Sequence, residues 1–192
     1  MSVIVESAVA RSVVLSPYDE PPELGRREGY ILVNLDVGGT APSIDFVRNY
    51  KVGQAYLEGD EEIRLSKNHR YSVSLKGKSK GLYLMAMPVG LYQITQINAP
   101  YFNLPYQLDT GDKRVWRFCV DAQKVNYIGR LFINKQRKSD TIEVYLKNRM
   151  AADLGEIQDL LGVLIEQYPL VSGAGVQDVF YREWLAPVEV KQ

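Results

Sequence analysis

Residues 81–97 read GLYLMAMPVGLYQITQI, two apolar runs that meet at Met87-Pro88-Val89-Gly90. Leu82 to Met87 is apolar at every position, the pattern of a strand covered on both faces. The proline and glycine between the runs signal a reversal of the chain. The same alternation of strand and turn continues to Leu146. VWRFCVD (115–121) and VNYIGRLFI (125–133) fold back at Asp121-Ala122-Gln123-Lys124, and TIEVYLK (141–147) follows a basic turn. Short strands separated by tight turns predict an antiparallel β-sheet scaffold.

Working outward, Ile31, Val33, Leu35 and Val37 alternate as a half-buried strand that ends at Gly38-Gly39. Tyr71, Val73 and Leu75 alternate with Ser72, Ser74 and Lys76, and Trp116, Phe118 and Val120 oppose Arg117, Cys119 and Asp121. Val125, Tyr127, Leu131 and Ile133 form an apolar row, with Gly129 marking a bulge or a close backbone approach. Ile142, Val144 and Leu146 repeat the alternation. The period then changes to three and four at Leu154, Ile157, Leu160, Leu161, Leu164, Ile165 and Tyr168, which predicts one amphipathic helix over about 153–168. Asp153 followed by Glu156 resembles a capping box at its start, and Pro169 follows its end.

The fold class these patterns predict is mainly β, an antiparallel β-sandwich of prealbumin- or immunoglobulin-like type with one C-terminal amphipathic helix on an open face or end. The chain divides into an N-terminal extension and proline-containing linker (1–28), a sandwich domain (29–170) and a C-terminal tail (171–192). Val3–Val5 and Val13–Leu15 are each apolar enough to add an edge strand.

The 192 residues carry 23 Lys plus Arg against 23 Asp plus Glu, so no net field draws the protein to nucleic acid. Cys119 is the only cysteine, which excludes an intrachain disulfide and a thiolate metal site. No run of 18 apolar residues is present, so no transmembrane helix is expected. Glu6 and Arg11 interrupt the apolar N-terminus, which therefore does not read as a secretory signal.

Candidate chemistry is sparse. Asp109-Thr110-Gly111 spells the aspartic-protease triplet, but that mechanism needs a second carboxylate sharing a proton. A polar turn closed by the aspartate side chain accounts for it better. His69 is the only histidine, so a cysteine or serine nucleophile would have to meet it, yet His69 falls in a turn and Cys119 in mid-strand. Glu58-Gly59-Asp60-Glu61-Glu62 lacks the regular spacing of a calcium loop and reads as a solvated acidic turn. Lys76-Gly77-Lys78-Ser79-Lys80 and Lys135-Gln136-Arg137-Lys138 read as solubilising tips. No catalytic residue, metal or cofactor is expected. Residues 98–114 hold the strongest binding candidates, Tyr101, Phe102 and Tyr106, on a proline-stiffened aromatic loop that could stack on a sugar or pack against the sandwich.

The central region, about 29–170, resembles a group of uncharacterised bacterial cell-envelope proteins, many of them lipoproteins, with a prealbumin-like β-sandwich. The resemblance rests on Gly29-Tyr-Ile-Leu-Val33, on the proline–glycine–x–tyrosine motif Met87-Pro-Val-Gly-Leu-Tyr92, and on Phe118-Cys-Val-Asp-Ala122 with Val125-Asn-Tyr-Ile-Gly129. The helix ending in Tyr168-Pro169-Leu170 matches as well. It implies a periplasmic or outer-membrane-associated location, although the chain shows neither signal peptide nor lipobox cysteine, which leaves the cytoplasm open. The expected function is a non-enzymatic module for protein binding or scaffolding in an envelope assembly, through another protein or self-association. The terminal strands and tail are its expected contact elements. The alternative is a carbohydrate- or small-ligand-binding domain using the 98–114 loop.

Overall fold

A computed structural model describes residues 10–38, 41–49, 69–101, 104–136 and 141–175. Among these residues, twelve strands run in chain order: β1 Arg11–Val13, β2 Ser16–Pro17, β3 Glu28–Gly38, β4 Ser43–Asn49, β5 Arg70–Ser74, β6 Gly81–Pro88, β7 Gly90–Tyr101, β8 Leu104–Asp109, β9 Arg117–Val120, β10 Val125–Gln136, β11 Thr141–Lys147 and β12 Leu170–Ser172. Among the described residues one α-helix, α1, spans Met150–Gln167. The first sheet has the order β1-β5-β4-β7-β8, with β9 also on β7; the second has β11-β10-β3-β6-β2, with β12 also on β10.

The described residues are mainly β with one late helix, as expected, but the sheets are mixed and not antiparallel. β1 pairs with β5, β3 with β10, and β10 with β12 in parallel. The reason lies in the turns. Met87–Gly90 and Asp121–Lys124 do not close hairpins: β6 and β10 belong to the second sheet, β7 and β9 to the first. Each turn carries the chain from one sheet to the other, which frees β3 and β10 to lie side by side in the same direction. The proline–glycine–x–tyrosine motif gains a physical role at the first crossing. The Tyr92 hydroxyl donates to the Pro88 carbonyl at 2.6 Å, and Arg48 donates to the Val89 carbonyl.

Both sheets contribute to one apolar cluster. Ile31, Val33, Leu35, Met85 and Ile133 enter it from the second sheet, and Phe46, Val73, Ile94 and Val120 from the first. Phe46 stacks on Tyr71, and Tyr92 on Phe118, with ring centroids 5.4 and 5.1 Å apart. A second cluster lies on the other face of the second sheet, where Tyr30, Leu32, Leu84, Val125 and Tyr127 meet Met150, Ile157 and Leu161 of the helix. β3 is therefore buried on both faces, not half-buried. The doubly covered character expected of Leu82–Met87 is present: Leu82 and Leu84 face the helix while Tyr83, Met85 and Met87 face the inter-sheet core.

The apolar row expected along β10 is split between these two cores. Val125 and Tyr127 face the helix, whereas Ile128, Leu131 and Ile133 face the other sheet. The register against β3 slips between Tyr127 and Gly129, so one extra residue reverses which side every later side chain takes. Gly129 sits at φ 123°, and a Cβ there would lie 2.6 Å from the Lys147 carbonyl oxygen of the neighbouring strand. Both the bulge and the close approach anticipated at this glycine occur together.

Gly129→Ala should therefore lower unfolding free energy by about 2 kcal/mol or more, from positive-φ strain plus steric overlap. Gly162→Ala on the helix, where an added Cβ meets nothing within 4 Å, should stabilise by roughly 0.5–1 kcal/mol. Urea denaturation of the two variants measures both shifts.

Candidate functional site

The bulge at Gly129 puts Tyr127 and Arg130 on the helix side of β10, and Asn34 of β3 lies opposite Arg130. All three converge on Asp153. Its Oδ2 accepts from the Tyr127 hydroxyl at 2.6 Å and from Asn34 Nδ2 at 3.2 Å, and its Oδ1 accepts from Arg130 Nη2 at 2.8 Å. Asp153 is 2% exposed and Arg130 retains partial contact with solvent. A carboxylate this buried is tolerable only because its charge is paired and its lone pairs are occupied. The cluster works as a latch between helix and sheet. It also corrects the capping-box expectation: the helix starts at Met150, whose N–H donates to Asn148 Oδ1, and the Asp153 side chain is taken by the sheet.

Burial, and then the bond to Asp153, pushes the Tyr127 phenol above its ordinary value of 10.0, so it remains a donor. Burial raises Tyr92 in the same direction.

Fixed by this latch, the helix presents its far side to solvent. Glu156, Asp159, Leu160, Val163 and Glu166 recur at three and four residues, opposite Met150, Asp153, Ile157 and Leu161. Leu160 is 42% and Val163 86% exposed. The helix holds four acids and no base. Glu166 even occupies the last turn, where the helix dipole is already negative. The result is a small exposed apolar pair flanked on the same side of the helix by Glu156, Asp159 and Glu166.

The sequence-predicted aromatic loop is a β-hairpin extension. β7 and β8 pair from Gln96↔Asp109 to Tyr101↔Leu104, so the loop expectation is corrected: the alternation simply continues through Ala99 and Tyr106. Tyr101 ends β7, Tyr106 is half-buried against the inter-sheet core, and Phe102 lies outside the described residues. Asp109-Thr110-Gly111 is a turn, as read: Gly111 N–H donates to Asp109 Oδ1 at 3.0 Å, and the buried Thr110 hydroxyl to the Ile94 carbonyl at 2.6 Å. His69 precedes β5 and Cys119 lies in β9, with β4 and β7 between them. Three strand spacings, about 14 Å, keep the pair apart. Lys80 pairs with Asp36 at 3.4 Å, and Lys78 lies over the Tyr83 ring. The 58–62 acidic run, Val3–Val5, Arg137, Lys138 and the chain beyond 175 lie outside the described residues.

An apolar cavity of about 30 Å3 lies between the sheets among Leu15, Phe46, Val73, Met85 and Ile128. Wholly apolar and far smaller than a ligand pocket, it offers no room for an organic ligand. Among the described residues, no group of three or more His, Cys, Asp or Glu side chains could hold a metal ion, and no helix is long and apolar enough to cross a membrane. No protein-family model matches the chain, and no curated protein matches its sequence.

Asp153→Ala should cost about 3 kcal/mol, because it strands a half-buried arginine and two buried polar donors. Since folded Tyr127 and Tyr92 hold their protons more tightly than the unfolded chain, their contribution is complete below pH 10 and is lost as pH rises beyond it. Tyr127→Phe should flatten this alkaline decline in thermal melts recorded from pH 8 upward, besides lowering stability at pH 7 by roughly 1.5–3 kcal/mol.

Proposed function

We propose that the protein is a non-enzymatic module that binds another protein, built as a two-sheet sandwich of the prealbumin or immunoglobulin type. The observation that carries this reading is the exposed Leu160–Val163 stripe within the acids of α1. An apolar spot flanked by acids suits a partner segment that is apolar and basic, since charge complementarity steers the encounter and apolar contact holds it. The latch at Asp153 supports the same reading: a surface tied down through a buried carboxylate needs little ordering on binding. Service in a bacterial envelope assembly is part of the proposal. Its support is the resemblance of residues 29–170 to envelope sandwiches.

A synthetic helical peptide of leucine and lysine, followed by fluorescence anisotropy, tests the stripe, with a leucine–glutamate peptide as control. The lysine peptide should bind, weaken as salt is raised, and release when Leu160 and Val163 are both replaced by Asp, with the melting temperature unchanged. Equal binding of the glutamate peptide, or binding that survives the double substitution, contradicts the reading.

A further inference from the structure

Residues 11–17 close the gap between the two sheets. β1 joins the first sheet on β5, with Arg11↔Tyr71, Ser12↔Ser72 and Val13↔Val73 in register, and β2 joins the second on β6, with Ser16↔Leu84 and Pro17↔Tyr83. Between them Leu15, 3% exposed, enters the inter-sheet core. The segment is thus a strap laid across a groove whose walls are β5 and β6.

We infer that this groove is a strand-accepting site, and that a second copy of this chain can fill it with its own residues 11–17. Four observations carry the inference. The strap is anchored by one fully buried side chain: Val13 is only partly buried and Val14 is 74% exposed. Its bond to β5 is parallel, the weaker ladder geometry, and only three residues long. The Leu15 slot is incompletely filled, because Leu15 lines the 30 Å3 apolar cavity and loses dispersion contacts on that side. The strap also leaves through a single turn, where Glu20 N–H donates to the Pro17 carbonyl, and Pro21 and Pro22 follow. Proline biases the residue before it toward an extended backbone, so opening this turn lets the chain run outward with little added disorder. Tyr18 within the turn and Leu24 beyond it pack on the helix-side cluster, which places the pivot at Pro17, where the strap ends.

The occupant follows from the contacts. Every copy carries the segment that fits the groove, and a strap inserted in trans remakes the same ladder and the same Leu15 contact. Exchange therefore forfeits only the Glu20–Pro17 turn bond, and protein concentration governs its extent. This surface shares no residue with the exposed stripe of α1, so either can fail alone.

Mixed disulfides test it in the full chain. One variant carries Ser12→Cys and a second carries Ser72→Cys; neighbouring strands lie about 4.8 Å apart, within disulfide reach. The wild type, whose single Cys119 is buried, is the blank, and Ser12→Cys with Arg70→Cys is the out-of-register control. Mixed under mild oxidant, the two single variants should form a one-to-one linked dimer that increases with concentration and melts like the wild type. The doubly substituted chain should close within itself when dilute. If the double variant closes internally while the mixture never links above the control, the strap stays with its own chain and the proposal is overturned. If the double variant does not close at all, the strap is not seated on β5, which overturns it equally.

Discussion

One extra residue in β10 organises the rest of the molecule. A strand buried on both sides must satisfy two cores, and a strict two-residue alternation gives each side a fixed set of positions. The bulge between Tyr127 and Gly129 changes the phase partway along. Before it, Val125 and Tyr127 serve the helix; after it, Leu131 and Ile133 serve the inter-sheet core, and Arg130 falls on the helix side. Only with that phase do Tyr127 and Arg130 reach the same carboxylate. Only glycine fits, because the backbone has positive φ and the Lys147 carbonyl occupies the place of a Cβ.

Much of this architecture was legible in the sequence, for a physical reason. Alternation in Ile31–Val37, Tyr71–Leu75 and Ile142–Leu146 reports a buried face directly, and Gly129 stood out as the one residue interrupting an apolar row. What turn chemistry reports is narrower. Pro88 with Gly90, and the Asp121–Lys124 turn, announce that the chain reverses, but sheet membership is decided by residues far away in sequence. Antiparallel hairpins were the local inference; crossings between sheets, and with them the parallel β3–β10 pair, are the outcome.

The candidate site was less legible. Asp153 and Glu156 form a local pattern that matches a helix start, whereas the groups that bind Asp153 come from positions 34, 127 and 130. Nothing in the spacing of Asn34 marks it as a ligand of that carboxylate. The exposed pair on α1 was hidden for a related reason: Leu160 and Leu161 both fit the helical period, and only packing distinguishes the buried from the exposed one. In the aromatic hairpin, pairing of β7 with β8 takes up residues whose prolines suggested a loop. The strap was partly visible, since Val13–Leu15 read as an edge strand, but its bridging of two sheets depends on β5 and β6 lying at facing edges.

If the bulge serves chiefly to aim β10 at the helix, its energy and that of the latch are not independent. A double-mutant cycle between Gly129→Ala and Asp153→Ala, read by urea denaturation, measures this directly. Disturbing the bulge already loosens Tyr127 and Arg130, so the second substitution should cost less in the presence of the first, with a coupling of about 1 kcal/mol or more. Penalties that simply add, within about 0.5 kcal/mol, would show that bulge and latch act separately and contradict the account.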